Sequence, residues 1–111
     1  MPYSGQRIGI DSIEIPTGDI LANHPGSAYD FWSGPKQIGQ DILSPELYGH
    51  CGPSCQGYDN AWLVNRESEG PYDWREKGPV LTLASAFSGI QLDIFSDQEA
   101  LQFYSCNNMN G

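Results

Sequence analysis

Residues 80–105, VLTLASAFSGIQLDIFSDQEALQFYS, decide the fold. Apolar and polar residues alternate through 80–87, 90–95 and 100–105, the period of two that a half-buried strand imposes. Ser88-Gly89 and Asp97-Gln98-Glu99 separate the runs and are short enough for hairpins. The stretch therefore predicts three consecutive antiparallel strands. In the last, Leu101 and Phe103 face one way, and Gln102 and Tyr104 the other.

Working towards the N-terminus, the same alternation recurs in 58–65, with Tyr58, Trp62 and Val64 on one parity and Asp59, Ala61 and Leu63 on the other. The polar segment 66–78 reads as turn. Two short runs, 7–10 and 12–15, carry Ile8, Ile10, Ile13 and Ile15 as candidate strands, the second ended by Pro16-Thr17-Gly18. Between them and the central strand lie the loop Asn23-His24-Pro25-Gly26-Ser27, the cluster Tyr29-Asp30-Phe31-Trp32, and the Gly34-Pro35 turn. Segment 35–43 fits a helical turn or a strand equally well, and 47–56 reads as loop. Thirteen glycines, eight prolines and a hydrophobic content of 39% fit many turns and short strands rather than long helices. The expected class is all-β.

At 111 residues the chain fits one domain. Fourteen acidic against five basic residues give a net charge of −9. That balance argues against nucleic acid, whose phosphates require a basic footprint, and against an anionic membrane surface. No apolar run has the length of a membrane-spanning helix, and Met1-Pro2-Tyr3-Ser4-Gly5-Gln6 lacks the basic start and apolar core of a signal peptide. The compartment stays open between a cytosolic chain and an extracellular parent whose N-terminus lies elsewhere. Of the three cysteines, Cys51 and Cys55 flank Gly-Pro-Ser, a spacer able to fold back into a disulfide, which leaves Cys106 odd.

Two segments combine polar groups with large rings: Gly57-Tyr58-Asp59-Asn60 and Leu101-Gln102-Phe103-Tyr104. Sugars are bound by such combinations, with ring faces on pyranose C–H groups and carboxylates or amides on hydroxyls. Asp59 and Gln102 are accordingly the candidate substrate-binding residues, expected on one face; the bland alternative is a strand-edge aspartate and an exposed strand amide. Asp30 and Asp59 form a weaker pair, as two carboxylates of a glycosidase. His50-Cys51-x-x-x-Cys55 lacks a fourth ligand for zinc, and adjacent residues seldom share one tetrahedral ion, so no metal site is expected. Gly49-His50-Cys51-Gly52 lacks the strand and helix of a phosphate loop.

Five segments, in order, resemble the aldose 1-epimerase (galactose mutarotase) family. They are Asp11-Ser12-Ile13-Glu14-Ile15-Pro16-Thr17-Gly18, Tyr29-Asp30-Phe31 with Ile38-Gly39, Gly57-Tyr58-Asp59-Asn60, Ser88-Gly89 with Leu92-Asp93-Ile94-Phe95-Ser96-Asp97, and Leu101-Gln102-Phe103-Tyr104 with Asn107. The low-lysine, cysteine-bearing style is most similar to the fungal branch. The resemblance implies that residues 1–111 are part of a large antiparallel β-sandwich domain, without its N-terminal part and C-terminal end. It implies a parent enzyme that interconverts the α and β anomers of an aldohexose such as galactose or glucose, without a cofactor. It assigns sugar binding to Asp59 and cleft lining to Gln102. The family's catalytic histidine falls before the match to Met1 and its catalytic glutamate after Gly111, so no catalytic residue is expected in this chain. Asn60 stands where the family usually has histidine, Glu99-Ala100 replaces Pro-Gly, and Cys106 replaces glycine. Alternatives are a non-catalytic carbohydrate or hexose-phosphate binder on the same fold, or a small β-protein whose aromatics are purely core. A phosphate reader would cluster its arginines, whereas Arg7, Arg66 and Arg75 are scattered.

Overall fold

A computed structural model describes residues 5–52, 54–64 and 78–106. Six strands are present among them: β1 (Gln6–Ile10), β2 (Pro16–Ala22), β3 (Asp59–Leu63), β4 (Leu81–Ala84), β5 (Gln91–Ile94) and β6 (Ala100–Tyr104). Helical structure among the described residues is limited to two short 3-10 turns, Ile38–Gln40 and Pro45–Leu47. The strands form a four-stranded sheet in the order β2-β1-β3-β6 and a separate β4-β5 ladder, with every pairing antiparallel. The chain is all-β, as its alternation predicts.

Two strand assignments differ from expectation, each for a local reason. Residues 12–15 form the turn of the β1–β2 hairpin, not a strand. Asp11 Oδ1 accepts the backbone N–H groups of Ile13 and Ile15 at 2.9 and 3.0 Å, and Glu14 takes a φ of 67°. An aspartate that satisfies nearby backbone donors offers the chain an alternative to a ladder, which an alternation of isoleucines does not reveal. Pro16 then opens β2 instead of ending a strand; on the first residue of an edge strand its missing N–H costs nothing. The register slips between Ile8 and Ile10, opposite Thr17-Gly18-Asp19. Gly9 allows that approach, since a Cβ there would meet Thr17 Oγ1 at 3.2 Å and Asp19 Cβ at 3.3 Å.

The second difference concerns the stretch 80–105. Its first two runs make the β4–β5 hairpin, with Leu81 opposite Ile94 and Ala84 opposite Gln91. The third does not continue that ladder. It crosses to β3, pairing Asp59 with Tyr104, Ala61 with Gln102 and Leu63 with Ala100. Val64 N–H to Glu99 O at 2.8 Å and Ser105 N–H to Tyr58 O at 3.0 Å close its two ends. Burial explains the choice: Leu101 and Phe103 pack against the main aromatic core, while β4 and β5 leave Leu83, Leu92 and Ile94 largely exposed.

That core consists of Ala28, Tyr29, Phe31, Leu47, Tyr58 and Trp62, with Ile38, Ile42, Leu101 and Phe103 against it. Phe31 lies 5.3 Å from Tyr58 and 6.0 Å from Trp62, and Phe103 lies 5.5 Å from Tyr58, all in the tilted or edge-on arrangements that ring quadrupoles favour. The polar tips are satisfied: Tyr58 donates to Ala28 O at 2.7 Å and Trp62 Nε1 to Tyr29 O at 3.3 Å. The undecided segment 35–43 resolves as the first 3-10 turn. Loop 47–56 carries the expected Cys51–Cys55 disulfide, with Cα atoms 5.4 Å apart, and Cys106 is an exposed free thiol. Most of the polar segment 66–78, Asn65 at the end of the predicted central strand, and Asn107 lie outside the described residues.

Candidate functional site

Asp59 and Gln102 are brought together. In the β3–β6 register Gln102 stands opposite Ala61, two positions from Asp59, so both side chains leave the same face. Gln102 Nε2 donates to Asp59 Oδ1 at 2.8 Å across 43 residues of sequence. Gln102 is exposed and Asp59 half-buried. With one amide proton committed, the pair presents Asp59 Oδ2 and Gln102 Oε1 as acceptors and the second Nε2–H as a donor. Neighbouring hydroxyls that each donate and accept match such a set. Tyr104, opposite Asp59 and of the same parity as Gln102, adds a half-buried phenol on that face.

The flanking aromatics take a different place from the one the sequence suggests. Tyr58 is fully buried and Phe103 packs with it, both on the opposite face of the ladder. Strand alternation sends neighbours in sequence to opposite faces, so these rings are core and do not border the Asp59–Gln102 pair. Asn60, the residue in place of the family's histidine, is likewise buried on the core side.

Asp30 has no part in a carboxylate pair. It is buried, with Oδ2 accepting Gly26 N–H at 2.9 Å and Oδ1 accepting Ser33 N–H at 3.0 Å. Burial alone would raise its pKa, but these bonds and those from Trp32 and Ser33 outweigh it and hold the carboxyl below its ordinary value. It organises the loop that carries Tyr29 and Phe31. Both sulfurs of the His50-Cys51-x-x-x-Cys55 pattern belong to the disulfide.

A second polar group lies on the core side, and the sequence pattern does not point to it. Arg7, opposite Trp62 in β1, lays its guanidinium 3.7 Å from the centroid of the Tyr29 ring. The Tyr29 hydroxyl donates to Glu46 O at 2.8 Å and meets His50 Nδ1 at 2.6 Å. A carbonyl only accepts, so the phenol proton goes to Glu46; the short contact then makes His50 Nδ1–H the donor to the phenol and Nε2 the acceptor, with the Asn60 amide at the longer distance of 3.5 Å from Nδ1. Burial first, then Arg7, lowers the His50 pKa. Burial pushes Tyr29 up to about 12, with Glu46 adding and Arg7 opposing. No signal short of tertiary contact joins positions 7, 29 and 50.

An antiparallel all-β chain with a polar, hydroxyl-matching pair on one sheet face is the class that the geometry defines. Similarity to two fungal proteins narrows it. The chain is 36% identical over 117 residues to a probable aldose 1-epimerase of Arthroderma benhamiae, a match covering 100% of this chain and 26% of that protein. It is 37% identical over 116 residues to an epimerase, FSL3, of Gibberella zeae, covering 95% of this chain and 26% of that protein. The chain thus corresponds to a segment of these two fungal proteins, one a probable aldose 1-epimerase and the other an epimerase, and spans about a quarter of their length. No family model and no solved structure matches it.

Proposed function

We propose that this chain is the part of an aldose 1-epimerase that grips the sugar. Asp59 and Gln102 take adjacent hydroxyls of an aldohexose such as galactose or glucose. The observation that carries the reading is the 2.8 Å Gln102–Asp59 hydrogen bond, which unites the two positions that match the family's sugar-contacting residues. Mutarotation moves a proton from the C1 hydroxyl to a base while an acid protonates the ring oxygen. The C1–O5 bond breaks, the aldehyde turns its other face, and the reverse transfers close the ring. Each transfer needs a group within hydrogen-bond reach. In this reading both groups come from segments outside these 111 residues, and Asp59 and Gln102 orient the substrate for them.

Polarimetry on α-glucose and α-galactose tests the division of labour. The chain alone is expected to leave the buffer rate unchanged while binding either sugar weakly, with Asp59→Asn abolishing the binding. Catalysed rotation that Asp59→Asn removes would place the chemistry in this chain and overturn the reading. Absence of any saturable sugar response would remove the site.

A further inference from the structure

On the core side of the sheet, away from Asp59 and Gln102, a cleft of about 430 Å³ is lined in part by Arg7, His24, Ser27, Tyr29, Glu46 and His50. Its chemistry is unlike that of the rest of the molecule. The chain carries nine surplus negative charges, yet no carboxylate among the described residues forms an ion pair with Arg7; the ion pair found among them is Lys36–Asp41. Arg7 is instead fixed by neutral partners. Its Nη1 donates to Ala22 O at 3.1 Å and to Asn23 Oδ1 at 2.8 Å, and its plane rests on Tyr29. The Nε–Nη2 edge of the fork is left without a partner among the described residues, and that edge takes a carboxylate side-on.

Three further features of the wall match a ligand. The Ser27 hydroxyl is enclosed and has no hydrogen-bond partner among the described residues. An unsatisfied buried hydroxyl is costly enough to call for an explanation. Glu46 Oε2 accepts Ala28 N–H at 2.8 Å, which holds the carboxylate in place with its other oxygen available to accept. His50 Nε2 is a third acceptor. Arg7, Glu46 and His50 thus line one cleft together, in a volume far larger than acetate fills.

We propose that this cleft binds a small hydroxylated carboxylate, a sugar acid of hexuronate or aldonate type. The carboxylate lies along the Nε–Nη2 edge of Arg7, and the ligand hydroxyls donate to Glu46 and His50 and engage Ser27. Glu46 and the acidity of the chain oppose a doubly charged phosphate, and a neutral sugar leaves the Arg7 edge unmatched. The site is independent of the Asp59–Gln102 reading, because the two lie on opposite faces of the β3 strand.

Titration of the 111-residue chain with glucuronate, glucose, acetate and inorganic phosphate, followed by amide resonances and calorimetry, tests it. Glucuronate is expected to bind saturably and to shift Arg7, Ser27 and His50, with the other three much weaker. Arg7→Lys, which keeps charge but loses the fork, is expected to weaken glucuronate roughly tenfold. Ser27→Ala is expected to weaken it several-fold with no fall in melting temperature, since the substitution removes an unsatisfied hydroxyl. An equal response to phosphate or glucose would overturn the proposal, as would shifts centred on Asp59 and Gln102. Affinity unchanged in Ser27→Ala, or no saturable glucuronate response, would overturn it too.

Discussion

The β3–β6 ladder has two faces built from the same ten residues, and they do opposite work. One face sends Asn60, Trp62, Leu101 and Phe103 into an aromatic core in which Trp62 and Tyr58 are fully buried. The other shows Asp59 and Gln102, tied to each other by one exposed hydrogen bond. Packing over-determines the first face, whereas the second is held by that hydrogen bond and by partial burial of Asp59 and Tyr104. A residue's neighbour in sequence is therefore a poor guide to its neighbour in space here, and Tyr58 beside Asp59 is the plainest case.

Substitutions can break that contrast or sharpen it. Trp62→Ala is expected to have the largest effect: loss of a buried indole from the centre of the core costs about 3–5 kcal/mol. Denaturant unfolding measures it; a loss below 1 kcal/mol would mean that the core is not cooperative with the sheet. Replacing Cys51 and Cys55 together by serine is expected to cost about 2 kcal/mol, because the disulfide restricts a short loop of the unfolded chain. Differential melting with and without reductant gives the same comparison from the wild-type chain.

A pH effect follows next in size. The folded-state pKa of His50 lies below its ordinary 6.5, chiefly because the ring is half-buried and secondarily because Arg7 is near. The unfolded chain then binds the proton more readily than the folded one. Stability contributed by His50 is expected in full above pH 6.5 and to decline as pH falls from there through the folded-state value. Across that window the melting temperature is expected to fall more steeply with falling pH in the wild type than in His50→Gln, with the two running parallel above pH 6.5. The smallest expected effect on stability belongs to Asp59→Asn, within about 0.5 kcal/mol of wild type, although on the proposed function sugar binding is expected to be lost. Substantial destabilisation by Asp59→Asn would make the exposed pair a structural clasp and erase the contrast between the faces.

Alternation, a local signal, made β1, β3, β4, β5 and β6 legible in the sequence, whereas β2 was missed because Pro16-Thr17-Gly18 reads as a strand end. It read the parities of β3 and β6 correctly, and with them the shared face of Asp59 and Gln102. It did not read strand partnership: two runs joined by Asp97-Gln98-Glu99 look like a hairpin, and only burial of Leu101 and Phe103 against Trp62 sends β6 elsewhere. The Asp11-capped turn was hidden because its isoleucines mimic a strand. Arg7, Tyr29 and His50 share one cleft through tertiary contacts between positions that carry no common motif.

Of three cysteines, two are joined and one, Cys106, is an exposed thiol immediately beyond β6. The folded, oxidised chain should therefore react with a thiol reagent at a single position, and the reduced, unfolded chain at three. Titrating accessible sulfhydryls gives an integer that reports the redox state of the 51–55 loop. A fluorophore coupled at Cys106 would sit four residues from Gln102, at the end of the strand that carries it. One covalent label could then follow both the docking of β6 onto β3 and the arrival of a ligand on the face they share.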